Sequence, residues 1–405
     1  MIGPFVFCVV LPLLAPPAQA PAKSSRRVLP AGQDRVSVPL EFKMNQVRLD
    51  AMVNGKGPFH LVLDTGMPIR GIILFSGERV DALKLGDSGQ RAMIGGAGSE
   101  KGGQMAIVAP DVSVELGELK LPSMNAIVMP DRTGMPPGMD GIIGGELFFQ
   151  FAVRIDLKES RLDLIEPSAF EPPSGAAIVP LDHRGGMVFV DVGVTVGDGE
   201  PQTAHVVVDI GAGHAISLNT RKDGAFAPPK DAVEAALGHG VSGAIRGQEG
   251  RVRRLEIGGV AFENVVASFP IDAHKNPGGM DFHDGNLGEE ILRRFTVTFD
   301  YEHDRMVLER GDEIDQPFEG DMLGIGSTWT KDGAFVIDTV LDGSAAAAAG
   351  LQVGDEIVKV DGRTFAEIGE GGLRAILRVD GAEVVFTLKR GDETVEKRAR
   401  LHRRV

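Results

Sequence analysis

Two segments 145 positions apart each place an aspartate at the end of an apolar run and a glycine two residues later: Gly57-Pro-Phe-His-Leu-Val-Leu-Asp64-Thr65-Gly66 and Ala204-His-Val-Val-Val-Asp209-Ile210-Gly211. Short apolar runs bounded by turn residues read as buried strands. The glycine after each aspartate allows a tight turn that a side chain would resist. Each segment therefore presents a carboxylate at the end of a strand, and Thr65 adds a hydroxyl able to hydrogen-bond to a neighbouring loop. The duplication extends further. Gly141-Ile-Ile-Gly144-Gly-Glu-Leu-Phe-Phe-Gln-Phe151-Ala-Val-Arg-Ile-Asp156 aligns with Gly285-Asn-Leu-Gly288-Glu-Glu-Ile-Leu-Arg-Arg-Phe295-Thr-Val-Thr-Phe-Asp300 at an offset of 144, and each is followed by a closing strand, 161–165 and 305–308. Two elements recurring together at one spacing constrain the fold more than either alone. The chain is expected to fold into two like halves that each contribute one aspartate.

Asp64-Thr65-Gly66 resembles the signature of aspartic peptidases of the retropepsin and pepsin type, and Asp209-Ile210-Gly211 resembles it with the threonine replaced. That resemblance implies a mainly β fold of two pseudo-two-fold-related lobes, with a water held between the Asp64 and Asp209 carboxylates. It further implies that Thr65, Gly66 and Gly211 hold the loops. Ile142 and Gly144, and in the second repeat Gly288, would pack beside them as an apolar-apolar-Gly element; Asn286 is the polar exception. The glycine-dense stretch containing Gly95, Gly96 and Gly98 stands where these families carry a hairpin flap over bound peptide. A phosphate-cradling loop is the rival for that stretch, and it lacks the Gly-Lys-Ser/Thr ending and a following helix pattern.

The net charge of −15 argues against a general nucleic-acid binder. With 54 glycines, 24 prolines and few long helical patterns, many short strands joined by turns are expected. Ile2 to Leu14 is apolar and uncharged, and Ala18-Gln19-Ala20 has the small-x-small form of a secretory cleavage site, so residues 1–20 are expected to be a signal peptide. Pro12, Pro16 and Pro17 interrupt the run too early for a membrane span of about 20 residues, and no stable span is expected after processing. The single cysteine, Cys8, lies inside this segment, which removes cysteine chemistry from the processed chain.

Residues 21–34 read as a flexible leader, 35–167 as the first repeat, 176–311 as the second and 320–405 as a further domain. In the last, Leu323-Gly324-Ile325-Gly326, the alanine run after Ser344, Gly350-Leu-Gln-Val-Gly-Asp355 and Val360-Asp361-Gly362 resemble a bacterial PDZ domain in that family's order. The resemblance implies that Gly324, Ile325 and Gly326 offer backbone N–H groups to a C-terminal carboxylate and that the next strand pairs with the peptide. Leu373, Ile376 and Leu377 would line the groove, with a core role the alternative, favoured for Leu377.

Asp140 and Asp284 also correspond between repeats, and each precedes a glycine, which reads as turn chemistry. His214 reads as a surface or packing histidine, with a pH-sensitive neighbour of the aspartates as the alternative. The 239–242 and 281–284 stretches lack metal-ligand spacing. Gly238-His-Gly-Val-Ser-Gly243 fits a dinucleotide pattern on paper but follows a helix-like run instead of a strand. No metal and no cofactor are expected. The expected activity is that of an exported, periplasmic or secreted aspartic endopeptidase of bacterial type, acting on peptide or unfolded protein and taking protein C-termini at the PDZ groove. Met67 and Ala212 follow the two motifs where pepsin-like sites often carry a serine hydroxyl, so the pair is expected to titrate at less acidic pH. The other class is a non-catalytic peptide-binding or scaffolding protein with a degenerate second lobe.

Overall fold

The computed structural model describes residues 5–6, 9–10, 29–43, 45–88, 90–96, 103–240, 243–271 and 283–405. Most of the expected signal peptide, residues 21–28 of the leader and Gly98 lie outside the described residues. Strands dominate, and the α-helices span four or five residues, apart from Phe365–Ile376. No helix among the described residues is long and apolar enough to cross a membrane.

The first repeat opens on a hairpin, Gln46–Val53 and Lys56–Leu63, joined at Asn54 and Gly55. Both turn residues have positive φ, 48° and 70°, the geometry that favours Asn-Gly in two-residue hairpins. The far end of Lys56–Leu63 is clamped on its other side by Gly141–Ile143, which runs parallel to it with Leu63 opposite Ile143 and antiparallel to Ile72–Phe75. The second repeat builds the same unit. Met187–Val196 pairs with Gln202–Asp209, which runs parallel to Gly285–Gly288, and that strand pairs antiparallel with Ile216–Leu218. Each unit belongs to a nine-stranded sheet with the same sequence of strand roles. The duplicated sequence therefore produces a duplicated topology.

A six-stranded sheet built from both repeats joins them, with Ala152–Asp156 and Phe295–Asp300 antiparallel at its centre. Arg154 lies opposite Thr298, so residues 144 apart face each other across the joint, as a two-fold relation requires. Phe148, from the helix after Ile143, packs edge-on to Phe299 at 5.4 Å and stacks on Tyr301 at 5.5 Å. A continuous buried cluster runs from Val47 and Leu63 through Phe148 to Val206, Ile210 and Phe299. Burial of this apolar surface, worth roughly 25 cal/mol per Å², fixes the lobes relative to one another and hence the two aspartates.

The C-terminal unit is a separate sheet in the order Ile325–Trp329, Phe335–Val340, Glu356–Val360, Glu383–Arg390, Glu393–Arg400, with Arg363–Thr364 beside Glu356–Val360. Ser344 caps the alanine helix by accepting from the Ala347 N–H at 3.1 Å, and Gly350 ends it at φ 72°. Thr364 and Glu367 form a capping box at the start of Phe365–Ile376. Leu373 of this helix and Leu377 just past its end are buried in the core, and Ile376 is half-buried beside them.

One element differs from its sequence reading. The helix-like run before Gly238 is the strand Val233–Gly240, paired with Gly243–Ile257. Helix propensity there is overridden by pairing to a long partner strand.

Candidate active site

The strand that carries each aspartate is pinned twice before it ends. His60 N–H donates to Asp140 Oδ2 at 2.9 Å, and Arg79 Nη1 donates to the same oxygen at 2.9 Å. In the second repeat His205 N–H donates to Asp284 Oδ2 at 2.8 Å, with Arg221 Nε on Asp284 Oδ1 at 2.6 Å. His60 Nδ1 also contacts Asp50 at 2.7 Å, and His205 Nδ1 contacts Asp191 at 2.8 Å. Asp140 and Asp284 thus do more than shape turns, since they tie the strand to an arginine. For Asp284, burial opposes ionisation and is outweighed by Arg221, which holds the carboxyl below its ordinary range.

The two strands bring Asp64 and Asp209 to one buried point, and neither exposes surface. One oxygen of each is held. Gly66 N–H donates to Asp64 Oδ1 at 2.6 Å, and Asn286 Nδ2 donates to Asp209 Oδ2 at 2.7 Å. Asp64 Oδ2 and Asp209 Oδ1 are buried without a hydrogen-bond partner, and the two carboxyls lie close enough for each to shift the other's ionisation. Thr65 Oγ1 donates to the Val208 carbonyl at 2.7 Å and accepts from Ile210 N–H at 3.0 Å, bridging the two loops from one side. Ile210 itself is buried in the core between the lobes.

Glycine is required where these loops cross. A Cβ on Gly211 would lie 2.6 Å from Asp64 Cγ. One on Gly144 would meet the Asp64 carbonyl at 2.1 Å, and one on Gly288 the His214 carbonyl at 2.3 Å. Ile142 is fully buried beside Gly144.

Burial, and after it the Asp209 charge, pushes Asp64 well above the ordinary carboxylate value. Burial also lifts Asp209, to about 6, against the donors Asn286, Asp64, Gly211 and Ala212. Two carboxyls in one dry site cannot both ionise cheaply, so one proton is shared by the pair. Such a pair holds a base and an acid at one point. Among the described residues no group of three or more His, Cys, Asp or Glu is placed to hold a metal.

Residues 49–147 match the family model for an aspartyl protease, and residues 336–390 match the PDZ domain model. The chain joins an aspartyl protease domain to a PDZ domain. Among solved structures, an aspartic proteinase from Irpex lacteus aligns at 15% identity and a TM-score of 0.45, over 70% of this chain and 99% of that one. No curated protein matches the chain.

The PDZ domain contacts both aspartate-bearing halves. Its long helix sends Arg374 Nη2 to the Gly213 carbonyl at 2.9 Å, two residues beyond Gly211. Arg374 and Arg378 both reach Glu290 Oε2, at 3.1 and 3.3 Å, and Asn45 Nδ2 reaches the same oxygen at 2.6 Å. Burial opposes the Glu290 charge, and Arg374, Arg378 and Arg293 overcome it, holding this carboxyl at about 2. From the first repeat, Gly134 N–H donates to the Trp329 carbonyl at 2.8 Å, on the first strand of the PDZ domain. Met67 and Ile142, flanking the Asp64 loop, share a buried cluster with Ile325, Trp329 and Leu373.

Of the PDZ loop residues, Gly324 donates its N–H to Asp321 Oδ1 at 2.9 Å, as Leu323 does at 3.1 Å. Ile325 and Gly326 pair with Val340 and Thr339. A Cβ on Gly326 would lie 3.1 Å from Ala236, on the hairpin of the second repeat. That hairpin is held to the PDZ domain by His239 Nε2 to Asp338 at 3.2 Å and by Arg404 Nη2 to the Glu234 carbonyl at 2.7 Å. In the first repeat, Gly95 and Gly96 end the strand Arg91–Gly96, which pairs antiparallel with Gln104–Leu116, and they lie opposite Val10 and Val9. His283 Nδ1 contacts the Gly285 carbonyl at 3.0 Å.

Three groups here are faintly marked or unmarked in the sequence: Asn286, a polar exception, His214, a histidine three residues past Gly211, and Glu290, which has no signal. His214 is buried, with Nε2 3.1 Å from Asn286 Oδ1. Only the offset of 144, which sets Asn286 against Ile142, singles out the first of them.

Proposed function

We propose that the chain is an exported aspartic endopeptidase in which Asp64 and Asp209 activate one water for attack on a peptide carbonyl. The observation that carries this reading is the meeting of two fully buried, interacting carboxyls, with one oxygen of each held by a donor and Asp64 Oδ2 and Asp209 Oδ1 buried without a partner. The ionised member takes a proton from water as it attacks, and the protonated member gives its proton to the carbonyl oxygen. Thr65, Gly66, Gly211, Ile142, Gly144 and Gly288 serve to hold the pair. The repeats are taken as 35–167 and 176–311 and the PDZ domain as 320–405, with residues 1–20 a removed signal sequence and the working compartment the periplasm or outside. Because neither aspartate is exposed, substrate entry requires displacement of the hairpin at Gly95 and Gly96 or of the PDZ domain. The PDZ groove is proposed to take protein C-termini once Asp321 and Gly134 release it.

A non-catalytic peptide-binding protein is the second reading, favoured by Ile210 where the first motif has Thr65, so that the loops are bridged from one side only. The two separate on fragments of an unfolded protein produced in ¹⁸O-water between pH 5 and 8. Direct attack by water, with no acyl-enzyme, places one ¹⁸O in each new C-terminus and leaves an added amine unincorporated. Equal cleavage by Asp64→Asn, or none by the natural chain, supports the second reading.

A further inference from the structure

We propose that Asn286 and His214 are positioning residues that assign the roles within the pair, making Asp209 the carboxylate that activates water and Asp64 the acid. This rests on the hydrolytic reading above. Among the differences between the repeats beside the aspartates, Ile142 in the first is replaced at the same offset by Asn286. Ile142 is apolar and buried and offers Asp64 nothing to bond. Asn286 instead donates Nδ2–H to Asp209 Oδ2 at 2.7 Å. A donor to a carboxylate favours the ionised form, so the Asn286 amide favours charge on Asp209.

His214 fixes which way that amide points. Its Nε2 lies 3.1 Å from Asn286 Oδ1 and 3.3 Å from the Asn286 carbonyl. Both are acceptors, so Nε2 carries the proton and Oδ1 is spoken for. The amide is left with its NH₂ toward Asp209 and cannot turn to accept a proton from it. The charged and titratable groups around this chain act in known directions. Burial, opposed by the Asn286 acceptors and reinforced by Arg374, pushes His214 down to about 4, so it stays neutral at working pH. Glu289, near enough to feel the Asp209 charge, is driven by burial well above its ordinary value. Glu290 is ionised but occupied by Arg374, Arg378 and Asn45. Burial and the nearby Asp64 keep Tyr301 protonated.

The test is a ¹³C NMR titration of the aspartate carboxyl carbons in the full chain, which reads protonation whether or not the chain cleaves anything. Asn286→Leu is expected to move the Asp209 midpoint up by about one pH unit, a tenfold change in its protonation equilibrium. His214→Leu is expected to move it the same way by less, and His214→Gln, which keeps a donor, to restore it. The acidic limb of the kcat/KM profile should follow these shifts with KM unchanged. An unmoved Asp209 midpoint in Asn286→Leu overturns the proposal, and where that variant fails to fold, an unmoved midpoint in His214→Leu does so. Absent cleavage with a shifted midpoint would instead remove the hydrolytic reading and leave the assignment of charge standing.

Discussion

Replacing Thr65 by valine keeps the shape of the side chain and deletes the hydroxyl that joins the two aspartate loops. That hydroxyl makes two buried bonds, to the Val208 carbonyl at 2.7 Å and from the Ile210 N–H at 3.0 Å. Losing the first costs about 1 kcal/mol, and leaving the buried Ile210 amide without this acceptor adds about 1–3 kcal/mol, giving about 2–4 kcal/mol together. Valine fills the same space, so no cavity contributes. The effect should concentrate where the bonds are. Hydrogen exchange along the strand Gln202–Asp209 and at Ile210 should accelerate at least about tenfold, since 1.4 kcal/mol corresponds to a factor of ten, and the urea midpoint followed by circular dichroism should fall. Ile210→Thr supplies the missing symmetric hydroxyl and should not be destabilised to the same degree. A Thr65→Val chain within about 0.5 kcal/mol of the natural one, the range of an ordinary surface change, would refute the claim that this one-sided bridge holds the loops.

With burial setting Asp209 at about 6 and pushing Asp64 well above the ordinary carboxylate value, peptide cleavage should rise as pH climbs through about 6 and fall only when the second proton of the pair is lost; a maximum below pH 4 in a rate profile would contradict this. The folded Asp209 pKa lies above the model-peptide value of 3.8, so the stability it contributes is complete below about pH 4 and is lost as pH rises through about 6. Glu290 works in the opposite sense, because its folded value of about 2 lies below 4.5. Its contribution is present above pH 4.5 and lost on acidification, and Glu290→Gln should flatten the acid side of a thermal-midpoint-versus-pH curve. Gly211→Ala puts a methyl 2.6 Å from Asp64 Cγ, where the carboxyl is held and cannot retreat. It should cost about 1–3 kcal/mol by overpacking and abolish cleavage, whereas full activity in a folded Gly211→Ala chain would show the loops to be farther apart.

The two aspartates were legible because duplication repeats their frame: an apolar run, the acid, a glycine and, further on, the apolar-apolar-Gly element at one offset. Parallel pairing of Leu63 with Ile143, and of Asp209 with Gly288, is the physical form of that repeat. Asn286 was visible only as a polar exception, since a donor beside an acid has no pattern of its own. Glu290 was illegible for a different reason. Its partners Asn45, Arg374 and Arg378 lie 245, 84 and 88 positions away, and ion pairs across domains leave no periodicity. The strand Val233–Gly240 was hidden by its alanines, whose helix preference is small beside the pairing energy of a long neighbour. Asp140 and Asp284 read as turns because a glycine follows each, and the arginines that claim them stand 61 and 63 residues away.

The most direct measurement compares Asp64→Asn with Asp209→Asn, each alone, in cleavage of an unfolded protein near pH 6.5, with thermal midpoints recorded on the same samples. A shared proton and a shared water make the two acids equally necessary, so both variants should stay folded and lose at least about a hundredfold in rate, the lower range for a positioned acid or base. Retention of more than a tenth of the activity in either folded variant would contradict the account.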